Sequence, residues 1–172
     1  MIITAGIYKG RKLAVPDKSI TRPTLSQVRM GVFNTLYSIM GEFEGKTFLD
    51  LFGGSGIMGL EALSRGFSRV KVFEKNPKAA QIIRKNYEQL GLKADLAQGD
   101  SVKLIEKFDE HFDVVYIDPP YLSGIYEAIL PKVNGEIIIA EHSEKMLFEG
   151  FTLLKEKNYG GKLISYLQTP TK

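Results

Sequence analysis

Thr47-Phe-Leu-Asp-Leu-Phe-Gly-Gly-Ser-Gly-Ile-Met-Gly59 joins a short apolar run to a glycine-rich turn and then to helical periodicity. The run predicts a buried strand over Thr47 to Phe52, and Gly56 to Leu63 opens a helix. Glycines at such a turn let the backbone approach a ligand closely, and the first N–H groups of the helix are free to meet it. Moving outward, Arg69 to Glu74 predicts a second strand. Pro77 to Leu90 predicts a helix, with proline near its start and Gly91 just past its end. Ala94 to Asp100 is a third strand, Val102 to Phe108 a short helix, and Phe112 to Asp118 a fourth strand. A helix near Gly124 to Leu130 leads to a fifth strand, Glu136 to Glu141. This alternation demands a parallel sheet with right-handed crossovers. The chain ends differently, with Phe151 to Lys157 and Lys162 to Gln168 flanking Asn158-Tyr-Gly-Gly161 as an antiparallel hairpin. The expected fold is α/β, with seven strands, mostly parallel, and a terminal antiparallel pair.

Upstream, Ile2 to Ala5 and Arg11 to Leu13 around Tyr8-Lys-Gly10 predict a small hairpin, and Ser26 to Met40 an amphipathic helix. Residues 1–44 are therefore expected to form a basic extension and residues 45–172 the core. The first 40 residues hold six cations (Lys9, Arg11, Lys12, Lys18, Arg22, Arg29) against Asp17 alone, although the whole chain of 172 residues carries only +3. Such asymmetry points to a polyanionic partner. With no cysteine the chain has no disulfide, thiolate metal site or thiol nucleophile. Met1 to Lys12 lacks the apolar core of a secretion signal, and no apolar run reaches bilayer-spanning length. A soluble, cytoplasmic monomer is the expectation.

Asp118-Pro-Pro-Tyr121 closes the fourth strand at the edge where open α/β sheets bind ligands. The prolines restrict the backbone, so Asp118 and the Pro119 carbonyl are held in place. Tyr121 adds a flat π-face beside two fixed acceptors. This arrangement suits a flat ring with an exocyclic amine, as in a nucleobase.

The glycine turn admits two readings. Gly54 to Gly59 matches G-x-G-x-x-G and Glu74 ends the next strand, as in nicotinamide-dependent oxidoreductases. Asp50, however, would repel a pyrophosphate and attract a cationic amino group. Asp50, Glu74 and Asp100 at three strand ends suit S-adenosyl-L-methionine, which carries an ammonium, a ribose diol, an adenine and no phosphate.

Together these residues make the chain similar to Rossmann-like methyltransferases acting on amino groups of nucleic acids. Within that class it resembles the bacterial family that methylates N2 of a guanine in small-subunit (16S) ribosomal RNA. The likeness rests on Ile3 to Lys12, Thr21 to Thr24 with Val28-Arg29, Asp50 to Gly56, Glu61 to Gly66, Phe73 to Lys75, Gln98 to Asp100, Asp118 to Tyr121 and Glu141 to Ser143. Gly54, Ser26-Gln27 and Met30 depart from the family's usual residues. The resemblance implies catalytic roles for Asp118, Pro119, Pro120 and Tyr121. It implies cofactor contacts from Asp50, Phe52, Gly53, Gly54, Ser55, Gly56, Glu74, Lys75, Asp100 and Ser101, with Arg22 and Thr24 beside them. RNA contacts are expected from Lys9, Arg11, Lys12, Arg22 and Arg29, with rRNA or an assembling 30S particle as partner.

Three alternatives stay open: a DNA or RNA adenine-N6 methyltransferase, a nicotinamide oxidoreductase, and a non-catalytic nucleic-acid-binding module. His111 and His142, with no partner motif, are expected to be structural, and two histidines without cysteine make no metal constellation.

Overall fold

The computed structural model describes residues 1–19, 24–120 and 124–171. Its elements run α1 (Ser26–Met40), β1 (Thr47–Asp50), α2 (Ile57–Ser64), β2 (Arg69–Glu74), α3 (Pro77–Gln89), β3 (Asp95–Gln98) and α4 (Ser101–Ile105). They continue with β4 (Phe112–Ile117), α5 (Ile125–Ile129), a 3-10 turn (Leu130–Lys132), β5 (Gly135–His142), β6 (Thr152–Tyr159) and β7 (Lys162–Gln168). The strands form one seven-stranded sheet in the order β3-β2-β1-β4-β5-β7-β6. Neighbours from β3 to β5 are parallel, and β7 is antiparallel to both β5 and β6. The expected architecture is the one observed.

The chain builds outward from β1 to β3, then crosses back to β4 on the other side of β1. That reversal opens a crevice between β1 and β4 at the carboxyl edge of the sheet. Both faces are covered, which is why the central strands read as continuous apolar runs. Phe48, Val114, Tyr116, Ile137 and Ile139 face a cluster that includes Phe33 of α1, Leu60 of α2 and Ile83 of α3. Leu49, Val115, Ile117, Ile138 and Ala140 face the other cluster, with Ile105 of α4 and Ile129 of α5. Ile3, Leu13, Val32 and Phe33 belong to the first of these, so residues from the amino-terminal 44 share a core with the sheet.

Element ends differ from expectation for local reasons. Helix α4 starts at Ser101 because the Asp100 side chain accepts from the N–H groups of Val102 and Lys103, at 2.9 and 3.3 Å. That cap also ends β3 at Gln98. Pro131 cannot continue an α-helix, and α5 passes into a single 3-10 turn. Strand β6 extends to Tyr159, so its hairpin with β7 turns on Gly160-Gly161 alone, both at positive φ (62° and 92°). Two such residues match a turn whose twist suits the flanking strands.

The amino-terminal hairpin reduces to one bridge, Ile2 to Lys12, with backbone bonds between Ile3 and both Arg11 and Gly10. It docks closely on α2: an added Cβ on Gly6 would fall 1.8 Å from the Ser64 carbonyl oxygen. Thr4 N–H and hydroxyl donate to Glu61 at 2.7 and 2.8 Å. The following segment runs back along α3, with Gln89 donating to the Lys12 carbonyl and Asn86 exchanging bonds with Ala14. It brings Asp17 and Ser19 beside Asn76, Pro77 and Lys78, at the carboxyl edge.

Candidate active site

The carboxyl edge of the sheet gathers Asp50 from β1, Glu74 from β2, Asp118 after β4, Glu141 from β5 and Lys162 from β7. Side chains alternate across a strand, so Tyr116 and Asp118 share a face on β4, and Ile139 and Glu141 share it on β5. Antiparallel pairing of Glu141 with Ile164 brings Lys162 of β7 to the same edge.

Asp50 is buried, at 1% exposure. One carboxylate oxygen accepts from the Phe52 N–H at 3.1 Å, and the other has no hydrogen-bond partner among the described residues. Burial pushes this carboxyl up to about 8. The Phe52 N–H opposes the rise, and the charges of Asp118, Glu74 and Glu141 add to it. A buried acceptor without a donor costs free energy until something supplies one. A bound ammonium would supply both the donor and the opposite charge, so the residues here fit an amino-bearing cofactor.

The turn above Asp50 is shaped for close approach. Gly54 and Gly56 lie at φ 60° and 80°, where side chains are strained, and Gly56 is the residue before α2. Glu74 ties this turn to β2, accepting from the Gly54 N–H at 2.6 Å and the Asn76 N–H at 2.8 Å. The turn is thus preformed. Gly53 packs against Val72 and Ile83, and buried Ser55 offers its carbonyl to Asn86. Phe52 is half-buried beside them.

At the third strand end, Asp100 caps α4 and its other oxygen lies 3.5 Å from the Lys75 ammonium. Burial alone would raise this carboxyl, but the backbone of Lys103 and Val102 and the Lys75 side chain hold it below the usual range. The Ser101 hydroxyl donates to the Leu51 carbonyl and is buried. Both residues therefore also brace the loops at this edge.

Asp118 keeps about a quarter of its side chain exposed and lies 3.4 Å from the Lys162 ammonium. Burial, then the charge of Glu141, push its carboxyl up to about 7 against the pull of Lys162. Pro119 is half-buried and Pro120 exposed. Glu141 is fully buried, accepts from the Tyr116 hydroxyl and pairs with Lys162. Tyr126 of α5 donates to the carbonyls of Ile117 and Glu141, locking the ends of β4 and β5 together behind Asp118. Tyr116, Tyr126 and Lys162 were not anticipated as site residues. Glu141 entered only through a sequence motif.

The two remaining cofactor candidates and Tyr121 divide. Tyr121 and Arg22 lie outside the described residues. Thr24 is half-buried, and its carbonyl accepts from Arg29.

Arg29 requires a correction. It is 2% exposed, and its guanidinium donates to Glu61 at 3.4 Å, to the Ile2 carbonyl at 2.7 Å and to the Thr24 carbonyl. Phosphate cannot reach it there, so it is an internal strut joining α1, α2 and the hairpin. Replacing Arg29 with Met should lower stability by ~3–5 kcal/mol, because Glu61 would lose a buried partner. Denaturant unfolding checks this, and a loss below ~1 kcal/mol would contradict it.

Lys9, Arg11 and Lys12 are exposed. Arg11 donates to the Gln89 carbonyl at 3.1 Å, a favourable cation at the C-terminus of α3. This hairpin thus sits by the ends of α2 and α3, at the edge of the sheet opposite Asp118. The histidines behave as expected. His111 precedes β4 at that same opposite edge and faces Asn134, while His142 is held between the Glu144 carbonyl and Ser165. Among the described residues no helix is long and apolar enough to cross a membrane, and no cluster of three metal-ligating side chains occurs.

Sheet order, glycine turn, acids at successive strand ends and the Asp118-Pro-Pro turn define the class of Rossmann-like methyltransferases. Comparison with known proteins narrows this. The family model described as Conserved hypothetical protein 95 matches residues 1–168, and the chain belongs to that family. The chain is 33% identical to ribosomal RNA small subunit methyltransferase D of Haemophilus influenzae, over 95% of this chain and 90% of that one. It is 32% identical to the putative rRNA methyltransferase YlbH of Bacillus subtilis, over 85% and 84%. The solved structure of the putative methyltransferase yhhF from Escherichia coli superposes with a TM-score of 0.85 at 29% identity, covering 99% of each chain. A putative methylase from Haemophilus influenzae gives 0.79 at 31%, covering 98% of each. Membership of this methyltransferase family implies a methyl donor of the S-adenosylmethionine type.

Proposed function

We propose that this protein transfers a methyl group from S-adenosyl-L-methionine to the exocyclic N2 amine of a guanine in small-subunit ribosomal RNA. The observation that carries the reading is a buried carboxylate, Asp50, with one oxygen unpartnered among the described residues, set against Asp118 across the crevice between β1 and β4. Asp50 is opposite Tyr116 in register. Asp118 therefore stands about 7 Å farther along β4. That separation leaves room for the donor's amino acid end at one acid and an acceptor amine at the other.

The donor supplies a methyl already activated on a sulfonium. Asp50 holds the donor's ammonium, and Glu74 takes its ribose diol while keeping the Gly54 turn in place. Asp100, Ser101 and Lys75 border the adenine. At the acceptor, the Asp118 carboxylate and the Pro119 carbonyl take the two N–H bonds of the amine. This favours a pyramidal nitrogen with an available lone pair and stabilises positive charge as it develops. Fixing both partners provides much of the remaining acceleration. Tyr121 stacks on a base drawn out of its helix, and Pro120 fixes the turn that aims it. The names of the relatives, which are small-subunit rRNA methyltransferases, support rRNA as the substrate class.

The test is tritiated methyl transfer onto small subunits from cells lacking this protein, followed by nucleoside analysis. Label in N2-methylguanosine is expected. Label in N6-methyladenosine would move the assignment to adenine, and no incorporation into RNA or DNA would leave a binding module. A nicotinamide enzyme is separated by melting: S-adenosylhomocysteine should raise the transition and NAD should not.

The exposed Lys9, Arg11 and Lys12 dock RNA or the assembling particle at a distance from the reacting base, positioning rather than specifying. Changing all three to Ala should weaken RNA binding. It should also reduce the slope of log affinity against log salt by about 2–3, at ~0.7–0.9 per lost phosphate contact. An unchanged slope would remove the hairpin from the interface.

A further inference from the structure

Behind Asp118 lies a group of ionisable side chains that positioning of a base does not itself require. Glu141 is completely buried on β5, yet it carries a charge-bearing group. Its two oxygens are divided between the Tyr116 hydroxyl and the Lys162 ammonium. The same ammonium reaches Asp118 at 3.4 Å, so a single cation from β7 bridges two carboxylates from adjacent strands. About a third of Lys162 is exposed, on the same edge as Asp118.

We propose that Lys162 is a positioning residue that keeps Asp118 ionised and aimed, with Glu141 and Tyr116 fixing Lys162 in turn. Without a cation here, the neighbouring carboxylate of Glu141 would act on Asp118 unopposed, and a protonated Asp118 would lose acceptor capacity toward an amine. Among the described residues, the other groups found facing this point are acidic or neutral. Asp50 approaches from β1 with Glu74 beside it, Tyr126 from α5, and Tyr166 and Tyr159 from β7 and β6. Among the described residues, the further cation near Tyr116 is Arg29 of α1, which is committed to Glu61. Among the described residues, the charge of Asp118 therefore depends chiefly on Lys162. Burial pulls the Lys162 ammonium down, while Asp118 and Glu141 more than compensate and hold it above the usual lysine value. It stays protonated throughout the range where Asp118 titrates. Arg65, by contrast, is held in the Glu61 cluster with Thr4 and has no part here.

The inference rests on the proposed methyl transfer only for its activity arm, so the primary test is independent of turnover. The Asp118 carboxyl is followed by NMR in protein with labelled aspartate side chains, its resonance assigned by its loss in Asp118→Asn. In Lys162→Gln the midpoint should rise by at least one pH unit, and in Lys162→Arg it should return toward the wild-type value. An unchanged or lower midpoint in Lys162→Gln would overturn the proposal. Should Lys162→Gln fail to fold, the Lys162 side-chain nitrogen resonance of the wild-type protein is followed instead: it should shift at the Asp118 midpoint, and a resonance that stays flat across that midpoint would overturn the proposal. The second readout is the pH profile of methyl transfer. Its acidic limb should shift upward in Lys162→Gln along with the midpoint, and Arg should rescue it. A midpoint that moves while the limb stays fixed would uphold the role of Lys162 and refute the acceptor role given to Asp118.

Discussion

Asp118→Ala is expected to lower kcat by ~10²–10³ or more, the scale lost when one fixed group facing developing charge is removed. Donor affinity should change less than about threefold, a difference below ~1 kcal/mol. The split follows from the positions of the two acids. Asp50 lies at the end of β1 under the glycine turn, and Asp118 lies beyond the end of β4 on the far wall of the crevice. Only the second faces an acceptor amine in the proposed arrangement. Its removal also relieves charge repulsion on Asp50 and Glu141, so it should not unfold the protein. Rapid-quench transfer paired with calorimetric titration of S-adenosylhomocysteine separates the two quantities. Loss of donor binding together with turnover would place Asp118 in the cofactor pocket and contradict the assignment.

Asp50→Asn should produce effects of opposite sign on the free protein and on the liganded one. A carboxyl raised to about 8 binds its proton more tightly folded than unfolded. Stability from this group therefore falls as pH rises from the unfolded value near 4 toward about 8, and the penalty is complete above that. An amide carries no such penalty. At pH 8.5 the free variant should melt ~3 °C or more above wild type, since ~1 kcal/mol corresponds to ~2–4 °C at this chain length. The same substitution removes the counter-charge for the donor's ammonium. Saturation at 100 times Kd stabilises a protein by about 2.7 kcal/mol, and the variant should lose most of that shift. Differential scanning at pH 6 and pH 8.5, with and without S-adenosylhomocysteine, measures both. A variant that melts lower when free, or keeps the full ligand shift, would show that Asp50 is a structural acid.

How much of this was legible in the sequence depends on the range of the contacts involved. Asp50, Glu74 and Asp118 were found because each ends an apolar run, and in a parallel sheet all such ends share one edge. The terminal hairpin was marked by Gly160-Gly161 between alternating strands. Glu141 and Lys162 were not paired because their meeting depends on the antiparallel register of β5 and β7, in which Glu141 faces Ile164. Nothing local fixes that register. Lys162 reads as one more exposed cation until its strand is placed.

Arg29 departs from expectation for a different reason. Net charge counts a cation without asking where it points. The helical spacing held the answer, since Val32, Phe33 and Leu36 lie three, four and seven positions after Arg29, on the same stripe. A cation inside an apolar stripe needs a buried partner, and Glu61 of α2 supplies it. Asp100 shows a subtler overlap. Its position before Ser101-Val-Lys-Leu is that of a helix cap, and the capping role is the one its hydrogen bonds display. Tyr121 and Arg22 lie outside the described residues, so their roles rest on the sequence reading.

The most direct test of the central claim is a crystal structure of the protein with S-adenosylhomocysteine bound. The donor's ammonium should lie within ~2.7–3.2 Å of the Asp50 oxygen that lacks a partner among the described residues. Its sulfur should open toward Asp118 and Pro119 across the crevice. A ligand seated elsewhere, or a sulfur turned away from Asp118 with that turn sealed from the cleft, would contradict the account.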